Sequence, residues 1–384
     1  MATTAKIDVR EQSPVAAIQE LCRCILQSGD IQALLVPCRF PELNTIMPAL
    51  ITDPAELEQA DPLAPAFPLN SAKLVSRLTK RELGGCIGAV LRPCEVRAFV
   101  ELVKLNQGNM DDVILISPDC FGALPNAEYN SLLQEHSMAD ITRDFLRAMQ
   151  ESQDKLEQEF DLARACTVCE HPWAQAADLR ICLAGLDMYQ RILLQAHSAR
   201  GEGLLTRMGY EDHPESTEHQ QALDRLVAQK RAAREKLMRA TREASDDLDK
   251  LKHYFAGCVN CSNCRVACPV CYCRECVFNT DVFEHSPEQY LGWANRQGSL
   301  KMPTDTVFFH LTRMAHISLS CVGCGQCSNA CPNDIPVMDL FLSVAQHTQE
   351  AFGYEPGQDP DQPIPLTVFA EQELEDVVDH LAKT

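Results

Sequence analysis

A chain of 384 residues with 20 cysteines and a formal net charge of −20 is long enough for two or three domains and a sizeable core. The acidic balance excludes nucleic acid as a partner, because phosphates would be repelled, and suits solubility or docking to a basic patch on another protein. The opening MATTAKIDVREQ lacks the apolar segment of a secretory signal and no run approaches membrane-span length, so a cytoplasmic chain without a span of its own is expected. In that compartment so many cysteines point to metal clusters rather than disulfides.

In chain order, Ser13-Pro14 followed by Ala17, Ile18, Leu21, Ile25 and Leu26 at helical spacing predicts a helix over 13–29. Ile31 to Val36 reads as a strand ending at Pro37. Residues 38–70, rich in proline and acid, read as loop with short elements. Leu74 to Thr79 reads as helix. Gly84 to Leu91 reads as a buried strand running into Arg92-Pro93-Cys94, with a helix from Glu95 to Leu105 behind it. Val113 to Ser117 is a second buried strand, ending at Pro118-Asp119-Cys120. Residues 129–160 read as polar, acidic helix, and Cys166-Thr167-Val168-Cys169 precedes a strand from Leu179 to Leu183. Residues 198–217 read as loop. Glu218 to Tyr254 is long, charged and helical, with Leu223, Val227, Leu237, Leu248 and Leu251 as a sparse apolar face: a solvated connector.

Short apolar strands alternating with helices predict an α/β domain with a mainly parallel sheet over 1–200. Chemistry in such sheets sits beyond the carboxyl ends of the strands, where Cys94 and Cys120 stand. A helical connector (201–254), a ferredoxin-like domain (255–345) and an acidic tail (346–384) ending in a helix complete the expected organisation.

The strongest signal is Cys258, Cys261, Cys264 and Cys268 followed by Pro269, the C-x2-C-x2-C-x3-C-P run of bacterial-type ferredoxins. It returns at Cys321, Cys324, Cys327 and Cys331, followed by Pro332. Three thiolates from one tight loop wrap one face of a 4Fe–4S cubane, and the fourth cysteine of the run ligates the other cluster. Cys258, Cys261, Cys264 and Cys331 are therefore assigned to one cluster, and Cys321, Cys324, Cys327 and Cys268 to a second. Structural zinc also uses C-x2-C, but in two pairs rather than a triplet plus Cys-Pro. More than fifty residues separate the motifs, including a helical pattern from Asp305 to Ile317, so a mostly helical domain holding both clusters on helix ends and loops is expected.

Cys94, Cys120, Cys166 and Cys169 all fall at strand ends or loops of the α/β domain. If its strands are parallel, the four could converge on a third cluster, although a C-x-x-C also fits a redox dithiol and Pro-Cys a buried apolar residue. Cys271, Cys273 and Cys276 read as local packing or redox-silent thiols, with a further metal as the alternative. Cys22, Cys24, Cys38, Cys86 and Cys182 read as core. His310 and His316 could hydrogen-bond cluster sulfur, the plainer reading being a satisfied or exposed histidine. Arg92 and Arg97 flank Cys94 as candidates to neutralise a cluster or a cofactor phosphate. No pattern supports hydrolysis.

Three stretches of the α/β domain, GAVLRPCEVRAFVEL (88–102), VILISPDCFG (113–122) and CTVCEHPWAQAADLRICLAGLD (166–187), resemble the beta subunits of deazaflavin (coenzyme F-420) reducing hydrogenases and formate dehydrogenases. CPVCYCREC and RMAHISLSCVGCGQCSNACPNDIPV resemble the C-terminal ferredoxin part of the formate dehydrogenase type. The resemblance implies that Cys94, Cys120, Cys166 and Cys169 ligate a third 4Fe–4S cluster, and that FAD is bound near the start of the first helix. The family has Ser-Gly-Gly there; this chain reads Ser13-Pro14-Val15-Ala16-Ala17. Two functions are expected on this basis. One is an iron–sulfur flavoprotein subunit of an anaerobic redox complex, passing electrons between a catalytic partner of hydrogenase, formate dehydrogenase or heterodisulfide-reductase type and a flavin or two-electron carrier. The other is a flavin-free conduit between two protein partners, not an enzyme by itself. A colourless zinc assembly module is the third reading.

Overall fold

The structure, a computed structural model, describes residues 3–368; the helix expected at the end of the tail lies outside them. The first half runs β1 (Thr4–Asp8), α1 (Pro14–Gln27), β2 (Ala33–Phe40), β3 (Thr45–Ile51), α2 (Ala72–Thr79), β4 (Ile87–Val90), α3 (Pro93–Lys104) and β5 (Val113–Pro118). It continues through α4 (Asn126–Leu132), α5 (Met138–Glu151), α6 (Gln153–Glu159), α7 (Arg164–Thr167), β6 (Leu179–Cys182), β7 (Arg191–Ala196) and α8 (Ala199–Arg207). The strands form one mixed sheet of order β1-β7-β6-β5-β4-β2-β3. Its centre, β2-β4-β5-β6, is parallel, and β3, β7 and β1 add antiparallel flanks. β4 and β5 are buried along their whole length, as continuous apolar central strands should be. Helices α1 and α5 cover one face, and α2 and α3 the other. The carboxyl ends of β4, β5 and β6 thereby share one edge.

Three strands and two helices of this half, α7 and α8, lie outside the sequence reading. β2 passes through Pro37 and pairs with β3, so that Pro37 faces Pro48. Pro37 O accepts from Asp61 N at 2.7 Å on the side away from β3, so the two prolines oppose each other where no hydrogen bond is exchanged. β1 and β7 are short flanking strands whose pairing with each other decides their state. α8 reads as loop because Gly201 and Gly203 lower its propensity. A Cβ on Gly201 would lie 2.1 Å from Asp178 O, so glycine is demanded by packing. Ser198 Oγ caps the helix by accepting from Gly201 N at 3.1 Å.

The second half comprises α9 (Thr217–Glu243), α10 (Leu248–Tyr254), α11 (Asn263–Ala267), α12 (Pro287–Gln297), α13 (Thr306–Ile317), α14 (Gln326–Asn329) and α15 (Val337–Ala351). The expected helical ferredoxin part is thus borne out, with no strand from 255 to 345. α9 is more than a solvated connector. It buries Leu223 and Leu226 toward the sheet domain, and its Met238 meets Ala165, Val168, Met338 and Leu342. A helix that looks polar from its sequence therefore clamps the two halves together through a narrow apolar seam. No helix among the described residues is long and apolar enough to cross a membrane.

One buried group sets a pH dependence. Asp61 is 1% exposed; its Oδ2 accepts from Thr142 Oγ1 at 2.9 Å and its Oδ1 has no partner. Burial pushes its carboxyl up to about 6, against the opposing hydrogen bonds from Thr142 and the backbone. An unfolded Asp ionises near about 3.9, so between about pH 4 and 6 the folded state holds the extra proton. Stability is greater below that window and falls as pH rises through it. Asp61→Asn is expected to flatten the fall and to gain about 2 kcal/mol at pH 7. Urea midpoints at pH 5 and 7 check this; a slope unchanged by the substitution would refute it.

Candidate metal centre

The first ferredoxin-type loop carries Cys258 and Cys261 before α11, Cys264 on it and Cys268 at its end. Asn260 and Ser262 adopt φ of 52° and 62°, turning the loop tightly enough for thiols two residues apart to face one side. Cys258, Cys261, Cys264 and Cys331 line one small cavity with Phe309, His310 and Pro332. Burial, opposed by Arg313 and reinforced by the thiols of Cys258, Cys261 and Cys331, pushes Cys264 up to about 11. The crossing cysteine of the second motif thus sits with the triplet of the first.

The converse holds for the other quartet. Burial, then the thiols of Cys268, Cys324 and Cys321, push Cys327 well above the ordinary thiol value. Cys321 and Cys324 precede α14, whose first turn carries Cys327. Gly323 and Gly325 take φ of 69° and 77° between the ligating positions, a left-handed turn that glycine adopts freely.

Cys94, Cys120, Cys166 and Cys169 also meet. Cys94 lies in the first turn of α3 just past β4, and Cys120 just past β5. The 163–172 segment is strapped to them: Ala163 N donates to Ala123 O at 2.8 Å, and Cys120 N to Pro172 O at 2.8 Å. A Cβ on Gly122 would lie 3.2 Å from Cys166 Cβ, so glycine lets the turns approach. The four line a cavity of about 40 Å³ that also includes Cys324. Burial, then neighbouring Cys120 and Cys169, push Cys166 up to about 12. The third cavity therefore shares a wall with the second quartet.

Thiolates gathered at one site repel one another, so a group binding a whole quartet must bring positive charge. Two arginines already face them. Arg313, 3% exposed, donates to Cys264 Sγ at 2.9 Å and to Cys264 O at 3.1 Å, and sits 4.8 Å from the Phe341 ring. Among the described residues it has no carboxylate partner. A buried unpaired cation is costly, and an anionic thiolate-ligated cluster balances it. Arg92 donates to Cys120 Sγ at 3.7 Å and Gly122 O at 3.1 Å while spanning to Ala64 O and Ala66 O. Arg97 instead donates to Pro356 O and Val322 O, at 3.0 and 3.3 Å, tying α3 to the second cysteine loop. The donor set, cysteine thiols throughout, and the arginines that face it fit thiolate-ligated iron–sulfur clusters.

Of the two histidines, His310 is buried with Nε2 3.4 Å from Cys258 Sγ, stacked at 3.8 Å on Phe255, whereas His316 is exposed. Burial, then Arg313 and Lys301, lower His310 to about 3, so the ring is neutral. Arg313 escaped the sequence reading. Its place three residues after His310, on the same face of α13, was the available signal. Cys22, Cys38 and Cys182 are core, as expected, while Cys24 and Cys86 are half-buried. Cys271 is half-buried beside Cys268, Cys273 exposed and Cys276 half-buried.

The fold and these cavities define an iron–sulfur protein: an α/β domain joined to a helical domain with two ferredoxin-type cysteine sets. The 4Fe-4S dicluster domain family matches residues 254–335, which implies two 4Fe–4S clusters. The chain is similar to "F420-dependent formate dehydrogenase subunit beta" of Methanocaldococcus jannaschii, 25% identical over 370 residues covering 90% of this chain and 93% of that one. It is also similar to "F420-dependent formate dehydrogenase 1 subunit beta" of Methanococcus maripaludis, 25% identical over 378 residues, covering 91% and 92%. Over most of its length the chain is thus similar to beta subunits of F420-dependent formate dehydrogenases. A solved structure, "Xenon derivatization of the F420-reducing [NiFe] hydrogenase complex from Methanosarcina barkeri", aligns at TM-score 0.44 and 12% identity over 65% of this chain and 94% of that one, too distant to carry an argument.

Proposed function

We propose that this chain is the electron-transfer subunit of a cytoplasmic redox complex. It carries electrons between a catalytic partner of formate dehydrogenase or hydrogenase type and a two-electron carrier or second protein. Three 4Fe–4S clusters are ligated by Cys258, Cys261, Cys264 and Cys331; by Cys268, Cys321, Cys324 and Cys327; and by Cys94, Cys120, Cys166 and Cys169. The observation that carries this reading is the contiguity of the three quartets, with Cys324 lining the cavity of the third. The chain's own residues keep that route dry, hold the thiols in place and supply the positive charge of Arg92 and Arg313. Val259, Val266, Val282, Leu291 and Phe308 of the helical domain are exposed, as is the thiol of Cys261, and exposed apolar side chains support a protein partner on that domain.

The place expected for FAD does not fit its pyrophosphate. Pro14 has no N–H, Ala16 N already donates to Ser13 Oγ at 3.2 Å, and Ala17 N donates to Ser13 O at 3.1 Å. Acidic Glu11 stands at the same turn with φ 54°. Of the first N–H groups of the helix only that of Val15 is left for an anion, one donor where a glycine-rich turn offers several, which favours the flavin-free conduit.

Iron and acid-released flavin on anaerobically purified protein test the reading. About twelve irons per chain without flavin are expected; stoichiometric FAD overturns the flavin-free part, and about eight irons the third cluster. Cys169→Ser is expected to lose about four irons with both ferredoxin-type clusters kept; unchanged iron removes the case for the third. Arg313→Gln is expected to lower the potential of the cluster at Cys264 by about 50–100 mV, because a charge-assisted hydrogen bond that favours the reduced, more negative state is lost. A redox titration followed by electron paramagnetic resonance reads that shift, and Arg313→Lys restores part of it.

A further inference from the structure

On this strongly acidic chain, arginines gather along one side of α9. Two adjoining hollows of about 380 Å³ each lie between α9 and α15 and share Glu170, Arg231, Arg234, Gln346 and Glu350. Arg239 and Arg242 extend the groove at one end; Arg97, His171 and Cys321 form the other. Of the carboxylates lining the hollows, Glu235 makes no ion pair among the described residues, Glu355 stands 3.5 Å from His171, and the other two are engaged. Glu170 takes Arg231 at 2.7 Å and Arg234 at 3.3 Å, and Glu350 accepts from Gln346 at 2.7 Å. Among the described residues Arg239 and Arg242 have no carboxylate partner; Arg242 Nη1 lies 3.3 Å from His347 Nε2, and it is the Nε of Arg234 that pairs with Glu170. From Arg231 to Arg242 the helix rises about 16 Å, so the guanidinium groups form an elongated row.

We propose that the groove between α9 and α15 binds a small molecule bearing phosphate groups, held by Arg234, Arg239 and Arg242. Planar guanidinium forks suit phosphate oxygens, and a solvent-open groove leaves them hydrated until a ligand arrives. The far end of the groove reaches Cys321, so the bound molecule extends toward the second quartet. The inference stands apart from the electron-transfer reading: a failed iron count leaves it untouched.

Calorimetric titration of the anaerobically purified full chain with inorganic pyrophosphate, and separately with citrate, tests it. Saturable pyrophosphate binding is expected, weakened about tenfold or more in Arg239→Gln/Arg242→Gln and unchanged in Arg225→Gln, which lies on α9 outside both hollows. Both replaced side chains are exposed, so folding is preserved, and unchanged iron content verifies that. No saturable heat, equal weakening by Arg225→Gln, or citrate binding as tightly as pyrophosphate would each overturn the proposal.

Discussion

Cys327→Ser is expected to reduce iron from about twelve atoms per chain to about eight, leaving the iron of the α/β cysteines in place. Cys327 lies in the first turn of α14, facing Cys268, Cys321 and Cys324 in a region closed by Met338 and Leu342. No water-exposed thiol stands beside it to take over. The cavity of Cys258, Cys261, Cys264 and Cys331 shares none of these four residues. Its cluster should persist, although Cys268 and Cys264 are joined through α11. Iron analysis with electron paramagnetic resonance of the reduced protein reads the result. A full iron count would show that the proposed ligand assignment is wrong.

Gly325→Ala is expected to separate the two halves of the electron route. Gly325 has φ 77°, and a Cβ there would stand 2.4 Å from Ala165 Cβ, beside Cys166. The left-handed backbone costs alanine about 1 kcal/mol and the overlap about 1–3 more. A drop of about 2–4 kcal/mol in unfolding free energy should follow, with weaker magnetic coupling between the second and third clusters. Adding Ala165→Gly removes the overlap but not the backbone strain, so the double variant should regain most of the coupling and only part of the stability. If Gly325→Ala left both unchanged, the close approach would not matter to the route.

Local chemistry made much of this legible in advance. The strict cysteine spacing with its trailing prolines needs no tertiary information, since a tight loop can wrap only one face of a cube. β4 and β5 were readable because strands buried on both faces must be apolar throughout. α1 was readable because Ser13 caps it and Pro14 suits its first turn. What stayed hidden were elements whose identity is lent by neighbours. β1 has no buried-strand signature and exists by pairing with β7, whose short apolar run is held between β1 and β6; α8 keeps Gly201 because a side chain there would strike Asp178 O; β3 carries a proline that only its register tolerates.

By itself, then, the sequence determined the two ferredoxin-type motifs and the strand-end positions of Cys94 and Cys120, because these follow from spacing and periodicity along the chain. Only the tertiary structure decided that Cys94, Cys120, Cys166 and Cys169 share one cavity with Cys324 on its wall. That meeting depends on the parallel order β4-β5-β6, on backbone straps from 163–172 to the β5 turn, and on glycines at 122 and 325 that leave room for close approach. It also decided that Arg313 reaches Cys264 across 49 positions of sequence. Electrostatic partners are chosen by proximity in space, and a buried arginine shows its purpose only once the thiols around it are seen.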